Sequence, residues 1–307
     1  MLRLWKSEFP IEWLLLGGLA LADAVWARLI GFHLIVAWHD GMVLGAVLAA
    51  MVAVRNIWRQ GALFLEFLAL TLCSAMVFGV LSYLCMASAG PLADTALQHI
   101  DQAMGFNWLA GFHFLQAHPT ADKWLRLLYD SMPYQALYVA ALLGVMGRKD
   151  ALRETFWVVA TAGLLTNFGA MLFPALGPFE AFELQSFGGF LPEMKKLLAG
   201  NDLTFALGHL TGVIGFPSFH TAMAIIYTRA LRDTGPIGWS VAAANAVMLL
   251  SIPFIGGHYL IDMIAGAGVV AISVLIVSRF AKPSAASASP EYAAESADAY
   301  SGAGLSR

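Results

Sequence analysis

The stretch GGHYLIDMIAGAGVVAISVLIVSR, residues 256–279, decides the fold. After its first seven residues it is almost wholly apolar. About 20 such residues span a bilayer as one helix. Asp262 lies one turn inside, and His258 lies four residues earlier. An ionisable residue at the edge of the hydrocarbon is costly and marks a functional candidate. The whole chain has the same character. Of its 307 residues 59% are hydrophobic and 12% charged, and mean hydropathy is +0.72. That charge content is about half the usual share for a soluble domain. The composition excludes collagen, disordered and disulfide-rich scaffolds. The net charge of −3 gives no nucleic-acid footprint. Cys73 and Cys85 share one apolar run and form no zinc or disulfide pattern.

Working outward, the hydropathy predicts an all-α polytopic bundle of about six to eight transmembrane helices. The spans run near 11–30, 34–54, 61–87, 124–147, 154–173, 217–232, 237–255 and 259–279. Asp23 and Arg28 interrupt the first, which reads as a retained helix rather than a cleaved signal. With eight spans, the segments on the side of the two ends carry twelve of the 17 Lys and Arg residues, and the opposite side carries Arg28, Lys123, Arg126, Lys195 and Lys196. The positive-inside rule then predicts cytoplasmic ends. Residues 88–123 read as interfacial helices, with Trp108 and Trp124 in an aromatic belt. Residues 174–216 read as a packed lid or re-entrant segment, with a short helix near 192–199. The division is 1–87 as N-terminal transmembrane helices, 88–280 as the catalytic membrane domain and 281–307 as a disordered cytoplasmic tail.

Two clusters carry chemistry. Gly215-Phe216-Pro217-Ser218-Phe219-His220-Thr221 opens the sixth span. Proline suits a first helical turn, and free N–H groups at a helix start attract anions. Ser218 and His220 there can hold and protonate a phosphate oxygen; the plainer alternative is a capped helix with an interfacial histidine. In the second cluster, Asp262 on a shared helix face can hold one ring nitrogen of His258 and leave the other free to attack. Its alternative is a structural pair joining two helices. The charge-derived topology puts both clusters at one level, on the extracytoplasmic face. Tyr129, Asp130, Tyr134 and Gln135 are possible headgroup contacts or packing residues. Asn167 suggests a helix–helix hydrogen bond, and Glu66 has no evident partner.

Pro217-Ser218-Phe219-His220 and Ser251-Ile252-x5-His258-x3-Asp262 resemble the second and third motifs of the phosphatidic acid phosphatase type 2 (PAP2) superfamily, Pro-Ser-Gly-His and Ser-Arg-x5-His-x3-Asp. Within it, the His258-Tyr259 pair, the run Phe173-Pro174-Ala175-Leu176-Gly177-Pro178 and the segment from Asp94 through Asp101 to Trp108 resemble the inositol-phosphorylceramide synthase-like branch. The likeness covers roughly residues 90–280. It implies a PAP2-like six-helix catalytic core, no cofactor or metal, and a lipid phosphate or phospholipid substrate among membrane lipids. It also implies that His258 attacks phosphorus to form a phospho-histidine, that Asp262 orients it, and that His220 protonates the leaving oxygen. Pro217, Ser218 and Tyr259 would line the substrate site. The superfamily's Lys-x6-Arg-Pro motif is absent and Ile252 stands in place of an Arg, so Lys195 and Lys196 are the candidate replacement cations. The implied activity is phosphotransfer to a hydroxyl. Hydrolysis by water, and a non-catalytic transporter or structural subunit, are the alternatives.

Overall fold

The computed structural model describes residues 7–280. The expected tail and the first cations, Arg3 and Lys6, lie outside the described residues. Helices dominate, as the composition demands. Helix α1 is Pro10–Ile30, α2 Met42–Val54 and α3 Arg59–Ala87. Helices α4 (Asp94–Ala103), α5 (Trp108–Ala117) and α6 (Pro119–Tyr129) follow. Then come α7 (Met132–Val145) and α8 (Lys149–Leu172). Between α8 and the next long helix sit α9 (Pro178–Ala181) and α10 (Leu191–Ala199). The chain closes with α11 (Phe219–Ala230), α12 (Pro236–Ile255) and α13 (Leu260–Phe280).

Among the described residues, five helices are long and apolar enough to cross a membrane: α1, α3, α8, α12 and α13. The protein is a multi-pass integral membrane protein. The other three expected spans are also helical but shorter. The second loses its first turns to a strand, β1 (His33–Ile35), and a tight helical turn. The fourth is broken at Asp130-Ser131 into α6 and α7. The sixth is the 12-residue α11.

The apolar core packs α1, α3, α7, α8, α11 and α13 together, with Phe67, Leu70, Leu143, Leu152, Phe156 and Ile226 buried at their contacts. Two buried carboxylates of the bundle, Glu12 and Glu66, are paired. Glu12 is 1% exposed and accepts from Arg153 at 2.7 Å and from Trp157 Nε1 at 3.1 Å. Glu66 finds its partners in the approach to α1, accepting from Ser7, from the Glu8 N–H and from Trp13.

Residues 174–216, expected as a packed lid or re-entrant segment, are packed. This segment packs a second apolar cluster, including Phe179, Leu191, Met194, Leu197 and Phe205, against Tyr83 of α3 and Trp108 of α5. The Tyr83 hydroxyl bonds Glu193 of α10, and Thr211 Oγ1 donates to the same carboxylate at 2.7 Å. A short parallel pairing of β1 with β2 (Thr204–Ala206) ties the lid to the end of α1. Three paired residues per strand are too few to show a period in the sequence. Trp108 is not in an aromatic belt. It is 3% exposed, stacks on Phe112 and Phe182, and donates from Nε1 to the Pro253 carbonyl at 2.8 Å. An indole N–H needs a partner once buried, and the carbonyl near the end of α12 supplies it. Trp124, 59% exposed, keeps its place on the outer surface.

Candidate active site

The site is assembled where α11 and α13 begin. Ser218 is the N-cap of α11, fully buried, and its hydroxyl accepts from the Thr221 N–H at 3.4 Å. Serine is favoured there because its side chain satisfies a donor that the helix leaves unpaired. Pro217 precedes this cap rather than occupying the first turn, and its ring is buried against Gly169 of α8. His220 is the second residue of the helix.

His258 lies two residues before α13, so it shares no helix face with Asp262. The chain turn at Gly256-Gly257 still brings them together. His258 Nδ1 faces Asp262 Oδ2 at 3.3 Å, with His258 4% exposed and Asp262 fully buried. The same Oδ2 accepts the Tyr259 N–H at 2.8 Å. Asp262 therefore reaches back to the residue that opens its own helix, as the acidic half of a capping box does.

A second carboxylate completes this helix start. Asp101, from α4, accepts the Leu260 N–H at 2.7 Å and the Ile261 N–H at 3.0 Å. Three N–H groups that would otherwise be unpaired, those of residues 259–261, are thus held by two aspartates, and negative charge is favoured at this end of the helix dipole. Burial pushes the Asp101 carboxyl above its ordinary value, and the two backbone N–H groups oppose that shift.

Asp94, also on α4, accepts from the Leu176 and Gly177 N–H groups at 3.0 and 2.7 Å and from the Tyr259 hydroxyl at 3.2 Å. It ties the loop before α9 to α13. Gly177 has φ 84°, and a Cβ on it would collide with the Gly257 carbonyl. In the sequence, Asp94 and Asp101 belong to the segment that carries the resemblance, and nothing there assigns them a role. Their spacing of seven on an amphipathic helix, both on one face, is the signal that points to a shared partner.

The two histidine clusters meet. The Ser218 N–H donates to the Asp262 carbonyl at 2.9 Å. A Cβ on Gly256 would meet both His258 Cδ2 and the Tyr129 hydroxyl at 2.9 Å, so the turn before α13 faces the tyrosine that covers His220. Tyr129, the last residue of α6, lies flat on the His220 ring, with centroids 4.2 Å apart, and its hydroxyl is 3.3 Å from His220 Nδ1.

Tyr259 is 1% exposed and its hydroxyl is engaged by Asp94. Lys195 pairs with Glu180 at 2.7 Å. Lys196 reaches Asp202 at 3.4 Å and the Thr204 carbonyl at 3.0 Å, and its ammonium sits 4.5 Å from the Phe205 ring centroid. Both lysines thus bind the lid to itself. Ile252 is fully buried in α12, so an arginine in that position would bring a charge into the packed core. Asn167 bonds its own helix, donating to the Gly163 carbonyl at 2.7 Å, instead of crossing to another. Among the described residues no cluster of His, Cys, Asp and Glu is arranged to hold a metal.

A membrane helix bundle with paired histidines at two adjoining helix starts defines the class of protein. The PAP2 superfamily model matches residues 95–276, and the chain belongs to that superfamily. No curated protein and no solved structure matches it.

Proposed function

We propose that the protein is a lipid phosphotransferase that works through a phospho-histidine on His258. The observation that carries this is the His258–Asp262 contact. With Nδ1 turned to the carboxylate, Nε2 is the free, nucleophilic end of the ring. In the first step Nε2 forms a bond to phosphorus while the bond from phosphorus to the leaving oxygen breaks. His220 gives its proton to that oxygen. In the second step His220 takes the proton of an acceptor hydroxyl, whose oxygen displaces His258 from phosphorus. Ser218 and the N–H groups at the start of α11 hold the phosphate oxygens. Pro217 and Tyr259 shape the wall. Lys195 and Lys196 serve the phosphate by exchanging their carboxylate partners, Glu180 and Asp202, for it.

The acceptor is a lipid or polyol hydroxyl, as in the inositol-phosphorylceramide synthase-like branch. Support comes from the scarcity of cations. A phosphate monoester carries up to two negative charges, and a phospholipid diester carries one. A site with Ile252 where superfamily members have arginine suits the diester. Residues 88–280 form the catalytic domain, with the site at the extracytoplasmic face and both ends cytoplasmic. The charge bias supports that orientation, and the twelve-residue α11 supports a site recessed into the bundle.

The test uses detergent-purified protein with radiolabelled phosphatidylinositol and ceramide in mixed micelles, and separately with radiolabelled phosphatidic acid. The proposal predicts a labelled phospholipid product in the first mixture. Release of inorganic phosphate from the second, with no lipid product in the first, would make the protein a phosphatase. Turnover unchanged in His258→Ala and His220→Ala would remove the enzyme reading of this site.

A further inference from the structure

We propose that the protein has a second anion site, for a phosphate diester, at the ends of α8 and α11 remote from the histidines. It stands apart from the reading of His258 and His220. A cavity of about 210 Å³ lies between the start of α8 and the end of α11. His220 opens α11 and Arg229 closes it, so the two ends are roughly 14 Å apart along the helix axis. Arg148, Arg229 and Arg232 line the cavity. Arg229 is committed, donating to Glu154 at 2.6 Å. Arg148 and Arg232 both turn to one carboxylate, Asp233, and approach it only to 3.6 and 3.4 Å. Charge-assisted N–H···O bonds run at about 2.7–2.9 Å. Arg148 adds a 3.5 Å contact to the Asp233 carbonyl. Two guanidinium forks, with about five N–H donors each, therefore share a single carboxylate.

The start of α8 adds further donors. The helix begins with no side-chain cap. Its first N–H to reach a carbonyl four residues back is that of Leu152, bonded to Arg148 at 3.1 Å. Asp150 and Ala151, whose N–H groups come before it, line the cavity at the positive end of the helix dipole. Val158 and Ile226, one to two turns deeper in the bundle, give the cavity an apolar floor. The charge count selects the ligand. Three carboxylates, Asp150, Glu154 and Asp233, balance the three arginines. Asp233 is 60% exposed and can turn to water, whereas Glu154 stays with Arg229. One negative charge then restores the balance. A phosphate diester carries one, and its two free oxygens match the guanidinium forks that Asp233 gives up. A phospholipid headgroup and a soluble diester offer the same chemistry.

The test uses the full chain in maltoside micelles, which contain no phosphate. Phosphatidylglycerol and its deacylated form, glycerophosphoglycerol, are titrated separately while Tm is followed, since a ligand of the folded state raises it. A saturable rise with phosphatidylglycerol alone identifies a lipid headgroup; a rise with both identifies diesters in general. The double variant Arg148→Gln/Arg232→Gln changes no residue of the histidine site. Its half-saturating concentration should rise about 10-fold or more, as expected for lost hydrogen bonds to a charged group. Asp233→Asn removes the competing carboxylate and should lower that concentration. This second variant decides alone if the first fails to fold. No Tm response in the wild type, equal half-saturation in the double variant, or weaker binding in Asp233→Asn would each overturn the proposal.

Discussion

The backbone N–H of Ser218 donates to the carbonyl of Asp262 at 2.9 Å, so the starts of α11 and α13 are joined through main chain. Main-chain contact requires the helices to approach closely. Gly266 permits it, since a Cβ there would meet the Ser218 carbonyl and, at 3.2 Å, Thr221 Cβ. Gly266→Leu should part the two helix starts. We expect destabilisation of about 1–3 kcal/mol, the usual cost of overpacking, and a proportionally larger fall in turnover. Thermal denaturation in detergent alongside product formation measures both.

Asp101 holds two N–H groups immediately after the His258-Tyr259 pair. Asp101→Ala should cost about 1 kcal/mol of stability, typical of a lost helix cap. It should lower kcat more than it raises KM, because it loosens the turn carrying His258. Asp101→Asn, which keeps one acceptor oxygen, should fall between. Steady-state kinetics on the three proteins gives the order.

Tyr259→Phe and Asp94→Ala differ in what they remove. The first loses one hydrogen bond; the second loses three, two of them to the backbone of residues 176–177. Buried backbone donors left unpaired are costly. Protease nicking between residues 174 and 216 should therefore rise clearly in Asp94→Ala and little in Tyr259→Phe.

Glu8 pairs with Lys149 and Arg59 just before α1, and the Lys149 hydrogen bond is the largest cause holding its carboxyl below the ordinary range. A depressed carboxyl contributes stability above its unfolded pKa and loses that contribution as pH falls through its folded value. The Tm difference between wild type and Glu8→Gln should be small and positive near neutral pH and vanish in acid.

Much of this arrangement was legible in the sequence. The two histidine clusters, the packing of residues 174–216, and helical segments at all eight expected spans are legible from residue types, spacing and hydropathy, and the motifs from the resemblance. What the sequence concealed is tertiary. Asp101 and Asp94 serve N–H groups some 80 to 160 positions away, which no periodicity encodes. Trp108 reads as a membrane-surface aromatic until its indole is seen donating to Pro253 in the core. Lys195 and Lys196 read as free cations because their partners Glu180 and Asp202 lie on the same lid rather than at helical spacing. Tyr129 reads from the sequence as a headgroup contact or packing residue; its place on the His220 ring depends on the break at Asp130-Ser131, which a hydropathy window smooths into one span.

The central claim is that His258 carries the phosphoryl group. Rapid-quench mixing of the purified protein with phosphatidic acid or phosphatidylinositol, each radiolabelled in its phosphate, tests it most directly. The account predicts acid-labile, alkali-stable label on the peptide containing residue 258, lost in His258→Ala and accumulating when acceptor is withheld. Turnover at the wild-type rate with no label on that peptide would contradict it.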